Sequence, residues 1–429
     1  MKISTHLNID MVALDHKDQV TVLMEFTAPE NQASSQRPGR TLMLLLDRSG
    51  SMAGENLEGA KEAIGRLVRR LSRQDCFGLI IFDDQAEVVI PPMLIRDHNM
   101  EELQRAVASI RAGGMTDLSA GYVLALRETK RSLKATGHTG ATVLLVSDGH
   151  ANGGITDPDK LKEVAAKALK TGITTSTLGL GLGYDESLLQ EITTGGNGTH
   201  RFAPDIDAAV HEIQETVADL LDVSVLAATL RITPKDNHVD GIRIRQDVPV
   251  WREPGALVVN IGDMYAGEER KLLITLDVPA VADLGTTTIA DLDFNFTQVS
   301  DLTDHHVNLP VTVNVVPGDQ ARNRVPNPLV EVEELIADTD DAKKSMIDSL
   351  HQDDIGSARS TLASVMKNVN DKRKDLKNHG DTSLTLRLDE AALELLKLNE
   401  SLQHESREFS SKLMMDSMII GSTGRKKKK

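Results

Sequence analysis

Leu44-Leu45-Leu46-Asp47-Arg48-Ser49-Gly50-Ser51-Met52 is the stretch on which the reading of the fold turns. An apolar run stops at an acid, and hydroxyls follow two and four positions later. Downstream, Leu57, Ala60, Ile64, Leu67, Val68 and Leu71 recur at helical spacing. The acid and the hydroxyls therefore fall on the turn between a buried strand and a helix. That turn is the carboxyl-end rim of a parallel sheet, where α/β folds bind ligands. One carboxylate with two neutral hydroxyls is an oxygen-only donor set, suited to a hard cation such as Mg²⁺.

Two later segments supply what such a site still lacks. Gly113-Gly114-Met115-Thr116-Asp117-Leu118 is a glycine-led loop before another helical pattern. Val143-Leu144-Leu145-Val146-Ser147-Asp148-Gly149 is a second apolar strand ending in an acid. Together these residues resemble the von Willebrand factor A domain and its metal-ion-dependent adhesion site, in which Asp-x-Ser-x-Ser is completed by a distant Thr and a distant Asp. The resemblance covers roughly residues 38–222. It implies that Asp47, Ser49, Ser51, Thr116 and Asp148 hold one divalent cation, Mg²⁺ first, with Mn²⁺ and Ca²⁺ as alternatives. It implies a binding module and not an enzyme: an open coordination position accepts a carboxylate from a partner protein. Within the family the layout is similar to stand-alone bacterial proteins, some of which work beside AAA+ ATPases or in stress-response complexes. Partners of that kind rest on the resemblance alone.

Plainer readings compete at each position. Ser49 or Ser51 can cap the helix that follows. Asp148 can be a turn residue before Gly149, and Asp117 reads as a helix-start acid. A metal-dependent phosphoryl transferase or hydrolase using Asp47 is the rival function, but the second acid such enzymes need two positions on is Ser49 here. A structural assembly subunit with a vestigial metal site is a third reading. Gly179-Leu180-Gly181-Leu182-Gly183 lacks the third glycine of a dinucleotide fingerprint, and Gly195-Gly196-Asn197-Gly198 lacks the Lys-Ser/Thr of a phosphate loop and reads as a surface hairpin. His98, His305 and His306 read as surface polar residues, and Cys76 as a buried, inert thiol.

The 429 residues are enough for two or three domains, and with only 3% aromatic residues the core must be built from aliphatic side chains and Met. A formal net charge of −16 argues against a nucleic-acid scaffold. Arg425 to Lys429 is a basic exception that reads as a solvated tail, with contact to an acidic partner or membrane surface the lesser alternative. One cysteine allows no intrachain disulfide, Met1–His6 carries no apolar signal core, and no run approaches the roughly 18 apolar residues of a membrane span. A cytoplasmic protein is the expectation.

Strand candidates at 41–46, 77–82, 86–90, 141–146 and 174–180 alternate with helix candidates at 56–72, 100–111, 118–134, 159–171, 186–193 and 206–221. Alternation predicts a doubly wound, mostly parallel α/β sheet, with the 86–90 strand antiparallel at an edge because only Asp83-Asp84-Gln85 separates it from 77–82. Strand patterns at 223–232, 241–246, 256–261, 270–278, 287–296 and 306–316 predict a β-sandwich over 223–317. The strand near Val20 has no place in the α/β order and is expected to pair with these later strands, so that 1–37 and 223–317 form one sandwich with the 38–222 unit inserted. Helical patterns at 329–350, 354–377 and 387–414 predict a C-terminal hairpin or small bundle over 329–416, followed by a basic tail at 417–429.

Overall fold

The structure, a computed structural model, describes residues 1–30, 38–235, 238–281, 283–300, 303–422 and 425–426. It divides into two compact units, one of residues 31–224 with 299–302 and one of 1–30, 225–298 and 303–429. Three strands open the chain: β1 (Lys2–Leu7), β2 (Met11–Ala13) and β3 (Asp18–Thr27).

The inserted unit follows as β4 (Thr41–Asp47), α1 (Glu55–Arg70), β5 (Cys76–Phe82), β6 (Ala86–Leu94), α2 (Met100–Ser109), α3 (Leu118–Thr136), β7 (Ala141–Ser147), α4 (Pro158–Leu169), β8 (Ile173–Leu180), α5 (Glu186–Gly196), β9 (Asn197–Ala203) and α6 (Ile206–Leu221). The strand order is β6-β5-β4-β7-β8-β9. All neighbours are parallel except β5 and β6, which form the antiparallel edge hairpin that the short Asp83–Gln85 link predicts. β4, β5 and β7 are buried along their whole length, as strands covered on both faces must be. On one face, Leu42, Leu44 and Leu46 pack with Leu57, Ile64 and Leu67 of α1, Leu103 and Val107 of α2, and Ala209 and Ile213 of α6. Alternation along a strand then puts Met43, Leu45 and Asp47 on the opposite face.

The second unit is built from β10 (Val223–Pro234), β11 (Gly241–Ile244), β12 (Val250–Glu253), β13 (Ala256–Tyr265), β14 (Glu269–Val278), β15 (Gly285–Gln298) and β16 (Thr303–Val316) with the three opening strands. One sheet runs β1-β3-β14-β11 and the other β12-β13-β10-β15-β16-β2. β3 therefore lies beside β14, paired antiparallel from Asp18↔Val278 to Thr27↔Glu269. The inner faces share one aliphatic core that includes Val22, Met24, Leu230, Ile274, Leu292 and Val313, with Phe26 stacked on Phe294 at 4.7 Å.

After the short α7 (Gly318–Ala321) come α8 (Pro328–His351), α9 (Ile355–Asn378), α10 (Thr382–His404) and α11 (Arg407–Ser422), then the two-residue β17 (Arg425–Lys426), which pairs with β14. Two expectations need correction. The single helix expected over 387–414 is two, because Ser406 caps a new helix by accepting the Phe409 N–H at 3.1 Å. The helical region also extends beyond residue 416, into the stretch expected to be tail; residues 427–429 lie outside the described residues. Leu388, Leu395 and Leu398 of α10 join Met346, Leu362 and Val369 in the bundle core. The bundle meets the sheet at Leu23, Leu273 and Val330.

Beside that contact, Glu333 of α8 is 5% exposed and accepts from Lys271 of β14 at 2.9 Å and from Arg387 of α10 at 3.0 and 3.2 Å. Burial pushes the Glu333 carboxyl up, but Arg387 and Lys271 outweigh it and hold it below the ordinary glutamate range. Its ion pairs therefore stabilise the unit above the unfolded glutamate pKa, and that contribution is lost as the pH falls towards the lower folded value. Removing one partner from a buried pair costs about 3–5 kcal/mol. Arg387→Ala is expected to destabilise the unit by about 3 kcal/mol near neutral pH, with a smaller loss below pH ~4, measured by urea unfolding at both pH values.

Candidate metal centre

The register of the parallel strands builds the site. Leu46 of β4 lies opposite Val146 of β7, so the next residues, Asp47 and Ser147, are neighbours at the carboxyl edge. The Ser147 hydroxyl donates to Asp47 Oδ2 at 2.6 Å, and the Ser49 N–H donates to Asp47 Oδ1 at 2.8 Å. Asp47 is fully buried. Burial pushes its carboxyl up, the Ser147 and Ser49 hydrogen bonds pull it down, and the Asp148 charge adds to the rise; the balance lies above the ordinary aspartate value.

Beyond Asp47 the chain makes a 3₁₀ turn, Gly50–Met52, before α1. The residue that caps α1 is Gly54, at φ +91°, and Ser49, which precedes the 3₁₀ turn, makes no side-chain capping bond. Helix capping therefore does not consume the two serine hydroxyls. They lie 3.0 Å from each other, and Ser51 donates to Asp148 Oδ1 at 2.6 Å. The other Asp148 oxygen accepts from Asn56 of α1 at 3.0 Å, so Asp148 joins these groups as well as standing before Gly149.

Thr116 arrives on a third loop, laced to the first by Gly113 N–H to the Arg48 carbonyl at 2.7 Å and Gly50 N–H to the Gly114 carbonyl at 3.1 Å. Asn152 fixes its backbone on both sides: the Asn152 side chain accepts the Thr116 N–H at 2.8 Å, and the Asn152 N–H donates to the Thr116 carbonyl at 3.0 Å. Convergence is plainest at Gly149. A Cβ placed there would stand 3.2 Å from Ser51 Oγ, 3.6 Å from Thr116 Oγ1 and 3.8 Å from Ser49 Oγ. The bare glycine leaves a small space that all three hydroxyls face. Asp117, by contrast, caps α3 through the Ala120 N–H and accepts from Ser119, which makes it a helix-start acid.

Oxygen donors only, two of them carboxylates, suit a hard divalent cation. Two buried like charges held mainly by neutral donors are also costly to keep together, and a cation among them would remove that cost. The neighbouring Arg48 does not serve this purpose, because its guanidinium pairs with Asp83 at 3.0 Å. Burial pushes the Asp83 carboxyl up, but the Gln85 N–H and the Arg48 charge more than offset this and leave it below the ordinary range. Among the described residues no group of three or more His, Cys, Asp or Glu is arranged as a metal site, so the hydroxyl-rich set is the candidate.

Ser147, Asn56 and Asn152 were not among the residues singled out from sequence. Ser147 could have been, since it ends a strand one residue before Asp148; the two asparagines act through folded contacts that no spacing reveals. Elsewhere, Asn197 of the expected Gly195–Gly198 hairpin ends α5 and begins the buried strand β9. Cys76 is buried with Sγ 2.9 Å from the Ser132 hydroxyl, and burial raises its pKa. His98 faces the Phe77 and Met93 carbonyls at 3.1 and 3.2 Å.

Comparison with known proteins identifies the fold that carries these residues. The von Willebrand factor type A domain matches residues 41–216. The chain is 27% identical over 206 residues to the uncharacterized protein YfbK of Escherichia coli, covering 48% of this chain and 35% of YfbK. It is 26% identical over 277 residues to the uncharacterized protein sll0103 of Synechocystis, covering 63% of this chain and 64% of that protein. The match thus spans less than two thirds of either relative. A von Willebrand factor type A structure from Catenulispora acidiphila shares the fold at TM-score 0.71 and 15% identity, over 98% of this chain and 96% of that one.

The loop that carries Thr116 depends on a glycine. A Cβ at Gly113 would lie 2.0 Å from Asp83 Oδ2. Gly113→Ala is expected to cost about 1–3 kcal/mol by forcing the Arg48–Asp83 pair apart, read as a lower urea midpoint at unchanged m-value.

Proposed function

From the premise that residues 41–216 are a von Willebrand factor type A domain, a fold common in protein–protein interaction, we propose that this chain is a metal-dependent binding module. Its site captures an acidic side chain of a partner protein. The observation that carries the reading is the convergence of the Ser49, Ser51 and Thr116 hydroxyls on the space beside Gly149, next to the Asp148 carboxylate. Asp47, Ser49, Ser51, Thr116 and Asp148 would hold a divalent cation, Mg²⁺ first. When bound, the cation supplies a Lewis-acidic position open to a carboxylate oxygen from outside.

The chain's own groups do the positioning. Ser147 and the Ser49 N–H orient Asp47, Asn56 orients Asp148, and Asn152 sets the Thr116 loop. Ser51 is exposed while Asp47, Ser49, Thr116 and Asp148 are buried, so a partner would approach over Ser51. Transfer chemistry through Asp47 is less well supported. Both its oxygens are engaged, it has no exposed surface, and a serine stands two residues on where the second acid would be. Among the described residues no helix is long and apolar enough to cross a membrane. The cytoplasm is the setting that fits a chain whose one cysteine is a buried thiol.

Titration of Mg²⁺ into the full chain, followed by calorimetry and by thermal unfolding, tests this. The wild type is expected to bind and to gain about 2.7 kcal/mol of stability at one hundred times Kd. Ser49→Ala and Asp148→Ala are each expected to weaken binding about tenfold or more. Equal Mg²⁺ binding by wild type and both variants would sink the proposal, as would Mg²⁺-dependent hydrolysis of a generic phosphate ester abolished by Asp47→Asn.

A further inference from the structure

The rim of the site carries a second message. Three large apolar side chains stand exposed on loops at the carboxyl edge of the sheet: Met115 at 60%, Leu182 at 45% and Ile155 at 39%. Each lies on a loop that adjoins or touches a candidate ligand. Met115 immediately precedes Thr116. Ile155 belongs to the loop whose Asn152 and Gly153 N–H groups donate to the Thr116 carbonyl at 3.0 and 3.2 Å, and its own N–H donates to Ser119 at 2.9 Å. Leu182 adjoins Gly183, where a Cβ would lie 2.9 Å from the Asp148 carbonyl. Three different loops that border the candidate ligands thus carry apolar side chains exposed to water. Single exposed apolar residues are ordinary; three grouped around a polar centre mark an interaction surface.

The charges on the same loops narrow the partner. Asp83 is taken up by Arg48, Asp117 by Ser119 and the start of α3, and Asp185 by the Leu188 N–H with His150 at 3.8 Å. Asp84 is exposed. The rim is acidic in balance, so a partner segment rich in carboxylates would be repelled everywhere except at the cation. Basic flanks would meet carboxylates most of which already have partners.

We propose that Met115, Ile155 and Leu182 form an apolar collar that selects a single Asp or Glu flanked by apolar side chains in the partner. This inference rests on the cation-capture reading above and adds what the partner must look like next to its acid. Burial of one apolar flank against such a collar is expected to tighten binding about tenfold over a serine flank.

The test presents a displayed library of random nine-residue peptides to the immobilised full chain, once in Mg²⁺ and once in EDTA. Peptides retained only in Mg²⁺ are expected to share one acidic residue with Leu, Ile, Met or Phe beside it. A synthetic peptide of that kind should bind about tenfold more tightly than the same peptide with serine flanks. The triple variant Met115→Ser, Ile155→Ser, Leu182→Ser alters only side chains outside the buried core. It is expected to keep the Mg²⁺-dependent selection of an acid and to lose the apolar flanks. Acid selection without apolar flanks, or an apolar preference that survives in the triple variant, overturns the collar and leaves cation capture standing. No selection of acids in Mg²⁺ overturns cation capture and the collar with it.

Discussion

The parallel register of Thr41–Asp47 on Ala141–Ser147 is the constraint from which the site follows. It sets the last residue of one buried strand beside the last residue of the next, which lets the Ser147 hydroxyl reach Asp47 and brings Asp148 over the same edge. A one-residue slip would turn Asp47 to the face occupied by Leu42, Leu44 and Leu46, into an aliphatic layer with no hydrogen-bond partners. The hydrophobic core and the polar site are therefore one specification. Burying the leucines correctly is what aims the acid.

The second feature is that the helix after the loop is capped by a residue with no side chain. With Gly54 at the start of α1, the backbone makes its turn without drawing on Ser49 or Ser51. The hydroxyls are then available to each other, to Asp148 and to whatever enters beside Gly149. Close to them, Arg48 and Asp83 pair with each other at 3.0 Å, so the guanidinium is engaged away from Asp47 and Asp148. The site gathers two carboxylates while the neighbouring Arg48 is committed to Asp83, which is what the proposed cation site needs.

Much of this architecture was legible in the residues. Long apolar runs such as Val143–Val146 identify strands buried on both faces, and the three-residue link Asp83–Gln85 leaves room only for a hairpin. The isolated strand near Val20 announced itself by having no partner nearby, and β3 lies beside β14. What escaped did so for physical reasons. Asn197-Gly198 looks like a turn, yet a Cβ at Gly198 would stand 2.0 Å from the Thr175 carbonyl, so the glycine serves close packing of a strand. The break between α10 and α11 carries no proline or glycine and is signalled only by a capping serine, Ser406. At the site, the five residues stood out because their types and order have a chemistry of their own. Asn56 and Asn152 did not, because an asparagine's partner is decided by folding and not by its neighbours in sequence.

The distance along the chain between β3 and β14 bears on how the molecule is made. About 240 residues separate Thr27 from Glu269, and all the strands and helices of the α/β unit, from Thr41 to Leu221, lie within that interval. At the usual pace of translation the ribosome needs about 12–50 s to add them. During that time the inserted unit has all its own strands and can fold, while Val20–Phe26 has β1 as its one available neighbour and waits with its other edge open and a largely apolar face uncovered. The nascent chain thus holds every strand of the inserted unit before the strands that complete the β unit have been made. The hazard of misassociation during synthesis concentrates on one early strand, and a chaperone that shields that segment would have most to do before residue 278 has emerged.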